Sequence, residues 1–178
     1  MRATPFVLAV AAVATAGLVP TAGAHAQRAP GARHCVVWIA PTNGRAPSKV
    51  SKLHCYGRLS HALRVAHGRP PRGFPIPNTG IVPNASTLIS TDYNLANMTG
   101  DSLTWTVSNT SGCNGGFQYS AASMPSGWND RVSSSQSAHG CAHNRHFHDT
   151  NFNGAGINCT CSTMGTMNNQ TSSETWAQ

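Results

Sequence analysis

"WNDRVSS" at 128–134 and "MNNQTSS" at 167–173 carry one phrase written twice: an Asn, an Asn or Asp, two free positions, then Ser-Ser. A second shared element stands upstream of each. "YNLANMTG" at 93–100 sets an aromatic residue, four residues, a large apolar residue, one residue and a glycine, and "FHDTNFNG" at 147–154 repeats that order. Its physics is legible. A hairpin folded back over its own sheet needs a ring under the fold, Tyr93 or Phe147, backed by Phe152 in the second copy. It also needs a glycine free to take positive φ at the corner, Gly100 or Gly154. Gly100 lies 29 residues before Asn129 and Gly154 lies 14 before Asn168, so the first copy carries about 15 extra residues, placed in "SNTSGCNGG" at 108–116.

The surroundings agree with a β fold. From about Val82 onward the chain is rich in Ser, Thr, Asn and Gly and poor in Lys and Glu. Short alternating runs such as "SLTWTV" (102–107) are broken by Gly and Asn turns, which predicts an all-β sandwich or barrel.

An aromatic-corner hairpin followed by the Asn/Asp-rich phrase, twice in one stretch, resembles the βγ-crystallin domain. The resemblance covers residues 82–178, about half of the chain. It implies an all-β, βγ-crystallin-type sandwich of two Greek keys in two packed four-stranded sheets. Trp105, Trp128, Phe147, Phe152 and Trp176 are then core side chains. In that family the phrase is a calcium-binding loop. Calcium takes roughly six to eight hard oxygens at flexible geometry, so carboxylate, amide, hydroxyl and carbonyl all serve. By motif position the two loops open at Asn129 and Asn168. Asp130, Asn169, Ser133 and Ser172 would give side-chain oxygens, and Arg131 and Gln170 backbone carbonyls. Each loop lends ligands to the other's site, helped by carbonyls near the corners at Leu95 and Asp149.

Two departures point to weak binding. Asp130 is the only carboxylate in the two phrases, and ligand charge sets calcium affinity. Arg131 adds a cation beside the first loop, costing roughly 1 kcal/mol at ~6 Å from a divalent ion even in water. Two readings therefore stand together: a weak calcium site, or turn formers whose hydroxyls tie down their own loop.

The rest of the chain differs. Arg2, an apolar run from Phe6 to Leu18 and small residues at "AGAHAQ" (22–27) read as a secretory signal peptide over 1–26. Residues 27–67 form a basic segment in which "CVVWIA" predicts a buried strand, and Leu59, Ala62, Leu63 and Ala66 share a helical face. Residues 68–81 are a Pro-rich linker. Nine Lys or Arg and no acid lie between Arg28 and Arg72, whereas the later chain holds two Arg against five acids. That basic stretch is either a solvated arm or an attachment to an anionic wall or membrane surface. No aromatic interleaving supports specific nucleic-acid binding.

Six cysteines in an exported chain predict disulfides. Cys35 and Cys55 pair on proximity, stapling strand to helix. Cys159 and Cys161, one residue apart in a strand, face the same way and are expected to bond different partners, with the pairing of Cys113, Cys141, Cys159 and Cys161 left open.

"HGCAHNRHFHD" (139–149) holds four histidines. With Phe147 turned inward by the corner, His146 and His148 alternate outward. They are either plain surface histidines or, with His143 or Asp149, a loose zinc or copper site. No paired carboxylates, nucleophile elbow or phosphate loop appears, which points away from an enzyme. The leading expectation is an exported binding protein, a candidate metalloproteinase inhibitor, because exported bacterial inhibitors of this kind share the crystallin fold. Its loop would be Ser108 to Phe117, braced by Cys113. A calcium-stabilised extracellular structural module and a basic wall-binding or antimicrobial protein are the alternatives.

Overall fold

The computed structural model describes residues 31–42, 46–73, 86–108 and 111–178. The expected signal peptide, most of the Pro-rich linker and two residues of the candidate inhibitory loop lie outside them.

Nine strands and one α-helix, with short 3-10 turns at Thr150–Phe152 and Gly165–Met167, make up the regular structure of the described residues. They are β1 (His34–Trp38), β2 (His54–Tyr56), α1 (Leu59–Ala66), β3 (Ser86–Leu95), β4 (Thr99–Ser108), β5 (Tyr119–Ala121), β6 (Ser134–Ser137), β7 (His143–Phe147), β8 (Gly156–Asn158) and β9 (Ser173–Ala177). Two sheets result, of order β2-β1-β4-β3-β6 and β5-β9-β7-β8. The expected all-β character is what is observed. None of the described helices is long and apolar enough to cross a membrane.

The alternation in β4 sets the core. Leu103, Trp105 and Val107 share one face and are fully buried between the sheets. Trp105 meets Trp176 of β9 at 4.8 Å between ring centroids, so one ring from each sheet closes the middle of the sandwich. Trp128 and Tyr119 complete this core.

The N-terminal segment extends the first sheet: β1 runs parallel to β4, with Val37 opposite Trp105. Its unbroken apolar run follows from burial on both faces. Cys35, Val37 and Ile39 enter the main core, while Val36 and Trp38 pack under Ala62 and Ala66 of α1. The Cys35–Cys55 disulfide joins directly opposed residues of β1 and β2, so it staples strand to strand and not, as expected, strand to helix.

Cys113 bonds Cys141, and Cys159 bonds Cys161. The latter corrects the expectation of separate partners. The chain leaves β8 at Asn158 and reaches Ser135 of the other sheet at Cys161. Between them it is not an extended strand: the two Cα atoms stand 5.1 Å apart, short of the roughly 6.6 Å of an extended i, i+2 step.

The two halves repeat each other's pairings. Tyr93 lies opposite Ser102 and Ser134, and Phe147 opposite Gly156 and Ser173. β5 of the first half pairs with β9 in the second sheet, while Cys161 of the second half bridges Ser135 in the first.

Candidate functional site

Each hairpin corner is built by the same local chemistry. Asn97 and Met98, and likewise Asn151 and Phe152, take positive φ, and the corner glycines Gly100 and Gly154 sit at φ 80° and 75°. Such backbone leaves N–H and C=O groups facing the sheet, and the last serine of the phrase satisfies them. Ser134 Oγ accepts from the Met98 N–H at 3.0 Å and donates to the Leu95 carbonyl at 2.7 Å. Ser173 Oγ accepts from the Phe152 N–H at 3.0 Å and donates to the Asp149 carbonyl at 2.6 Å. The Leu95 and Asp149 carbonyls, expected near the calcium sites, each accept one of these bonds.

The phrases then meet face to face. The Asp130 N–H donates to the Thr171 carbonyl at 3.0 Å, and the Asn169 N–H to the Val132 carbonyl at 2.9 Å. Asp130 and Asn169 both take positive φ, at 56° and 55°. Their side chains cross over: Ser133 Oγ lies 3.1 Å from Asn169 Oδ1, and Ser172 Oγ lies 3.3 Å from Asp130 Oδ1. Ser133 Oγ also donates to the Asn94 carbonyl at 3.0 Å. Three oxygens from three segments, Asn94, Ser133 and Asn169, thus converge, and the corner carbonyl next to the loop is that of Asn94.

The geometry fits a calcium-type loop in donor chemistry. Asn129, Asp130, Asn168, Asn169 and Gln170 are exposed, with Ser133 and Ser172 buried beneath them. Arg131 is less adverse than its sequence position implies. Its guanidinium reaches Asp101 at 2.8 Å and the Gly127 carbonyl at 3.0 Å, and stacks on Trp128 at 5.3 Å. Burial raises the Asp101 carboxyl, but the Arg33 amide and Arg131 outweigh it and hold the group below its ordinary value.

The histidine stretch is arranged differently from its sequence expectation. Phe147 is only half-buried, lying outside the sheet under the bent hairpin against Phe152 at 5.9 Å and below the Arg145 guanidinium at 4.9 Å. Tyr93 is likewise half-buried. Alternation therefore turns His146 inward, where it is fully buried. His143 and His148 remain exposed, the latter paired with Asp149 at 2.7 Å.

His146 joins a polar seam that the sequence reading missed. Asp92 accepts from Ser135 Oγ at 2.7 Å and from Trp105 Nε1 at 2.8 Å, and Trp176 Nε1 donates to Ser90 Oγ at 2.9 Å. Asn144 donates to Ser135 Oγ at 2.9 Å. Glu174 completes the seam, fully buried, 3.3 Å from His146 Nε2. Burial pushes Asp92 up to about 6, against the bonds from Ser135, Trp105 and Glu174. Burial, then the neighbouring Asp92, pushes Glu174 well above the carboxylate range. Burial pushes His146 down to about 3, against a bond to the Cys159 backbone. A signal did exist in the sequence: an acid at Glu174 two residues before a core tryptophan shares that tryptophan's inward face.

The candidate inhibitory loop is held at its base. Cys113 is tied to Cys141, and Tyr119 Oη donates to the Gly112 carbonyl at 3.0 Å. Asn114, Gly115 and Gly116 are exposed at its tip. The described cations of the N-terminal region, including Lys49, Lys52, Arg58 and Arg64, are exposed on a folded strand–helix unit. Three disulfides in a domain of this size are typical of extracellular proteins. No protein family, curated protein or solved structure matches the chain.

Proposed function

We propose that the chain is an exported, non-catalytic module of βγ-crystallin type, two Greek-key units in one sandwich, whose facing loops take up calcium weakly. The observation that carries this reading is the crossover between loops, Ser133 to Asn169 and Ser172 to Asp130. Hydroxyl and amide oxygens from opposite halves already converge, so an ion would substitute for weak polar contacts without a large rearrangement. The exchange of β5 and Cys161 between sheets supports the Greek-key assignment. With Asp130 as the sole loop carboxylate, affinity belongs at the weak end known for extracellular modules, a Kd of roughly 10⁻⁴–10⁻³ M. Thermal melting of the mature, oxidised chain tests it. Saturating calcium should raise Tm by several degrees over a chelator control, and coincident curves would remove the calcium reading.

A peptidase-inhibitor role is favoured by a separate observation, the disulfide brace and Tyr119 bond under the exposed 114–116 tip. A tip held in this way loses little conformational entropy on entering a protease cleft. Inhibition of a thermolysin-like metalloproteinase by the oxidised protein tests it. Full protease activity at large molar excess would remove this role.

A further inference from the structure

We infer that Asp92, His146 and Glu174 form a closed site for one divalent metal ion of the zinc class, sealed between the two sheets and separate from the surface loops.

The three residues sit at matching places in the two halves. Asp92 lies opposite Ser135 in the first sheet, and His146 lies opposite Glu174 in the second. All are fully buried, and one ligand atom from each lies within 4.8 Å of the others. Among the described residues, the ring nitrogens of His146 and the carboxylate oxygens of Glu174 lack hydrogen bonds of full geometry, although the Cys159 backbone acts on His146 and the Asp92 carboxyl on Glu174. Buried polar atoms without such bonds are costly, and a buried charge more so. One ring nitrogen of His146 and the Glu174 carboxylate lie close to Asp92, and a cation shared by the three would offset that cost.

A zinc-class ion is such a cation. Tetrahedral ligands each about 2.1 Å from zinc stand about 3.4 Å apart, so the widest separation must close by about 1.4 Å as the ion binds. Charge also balances: two carboxylates and a neutral imidazole around a divalent cation are electroneutral, which removes most of the cost of burying ions. Glu174 brings two oxygens, so binding through both would supply a fourth bond. The support around the site is in place, since Ser135 and Trp105 hydrogen-bond both oxygens of Asp92 and fix its direction. Calcium is the wrong ion here, because a nitrogen ligand and so few oxygens do not satisfy it. Since the site is sealed, the ion enters as the chain folds, and its role is to lock the two sheets together.

The test is refolding. The oxidised mature chain is unfolded in denaturant with a chelator, then refolded with or without zinc chloride, and its metal content and Tm are measured after desalting. One zinc per chain is expected, with Tm raised by roughly 5–10 °C at about 100 times Kd. Glu174→Gln should lose the zinc and the zinc-dependent rise while melting, metal-free, no lower than the metal-free parent. Asp130→Asn in the surface loop should keep both. A parent that is refolded with zinc chloride and holds no zinc after desalting would overturn the site. So would zinc retained by both Glu174→Gln and His146→Gln, since the exposed His143 and His148 would then be its ligands. If Glu174→Gln fails to fold, cobalt substitution of the parent decides: the visible spectrum of four-coordinate cobalt supports the site, and a six-coordinate aqua-like spectrum contradicts it.

Discussion

Ser134 and Ser173 hold two separate hairpins by the same pair of bonds, one hydroxyl accepting an N–H and donating to a carbonyl across each corner. Both hydroxyls are fully buried, so truncation strands two backbone groups at once. Ser134→Ala and Ser173→Ala should each cost about 1–3 kcal/mol. They share no partner, so the double variant should show the sum. Denaturant unfolding measures this, and a combined loss under about 0.5 kcal/mol would contradict the corner mechanism.

The corner glycines should be unequal. Both take positive φ, but a Cβ at Gly100 would press on Asn94 Oδ1 and on Leu95 Cγ at 2.9 Å, whereas at Gly154 its nearest neighbour is Asp149 Oδ2 at 2.7 Å, the end of an exposed side chain. Asn94 Oδ1 is itself fixed by the Asp101 N–H at 2.7 Å. Gly154→Ala should cost about 1 kcal/mol for the strained backbone, and Gly100→Ala clearly more. Equal midpoints in urea would show that Asn94 yields freely.

Loop charge should govern ion affinity. Asn169→Asp sets a carboxylate against Ser133 and should tighten calcium binding about tenfold, while Asp130→Asn should weaken it by a similar factor. Isothermal titration reads both changes, and two variants with the parent's affinity would detach calcium from these loops.

Loop length separates the disulfides. Cys113–Cys141 spans 28 positions and Cys159–Cys161 spans 2. Replacing both cysteines of a pair by Ser should cost about 3.5 kcal/mol for the first and about 1.5 for the second. The reverse order in denaturant would mean that Cys159–Cys161 does more than close a short ring.

What was legible in the sequence is what local physics fixes. The corner element and the phrase mark positions where backbone needs positive φ or a short hydroxyl, and such needs can be met by few residue types. The helix at Leu59–Ala66 followed from periodicity, and the strand at 34–38 from an unbroken apolar run. Misjudged features depended on where the chain goes next. Cys159 and Cys161 look like one strand face until the crossing between sheets is known. Alternation from an inward Phe147 points His146 outward, but the hairpin folds over the outside of its sheet, so Phe147 lies outside and His146 inside. Glu174 gave no hint of partnership with Asp92, since 82 positions of chain separate residues that only sheet packing brings together.

The measurement that bears most directly on the paired-loop reading is an amide NMR spectrum of the mature chain with calcium titrated in. The resonances of 130–133 and 169–172 should move together along one saturation curve, because each loop supplies the other's oxygens. Resonances in both loops that stay fixed at saturating calcium, or shifts confined to the 143–148 histidine stretch, would contradict it.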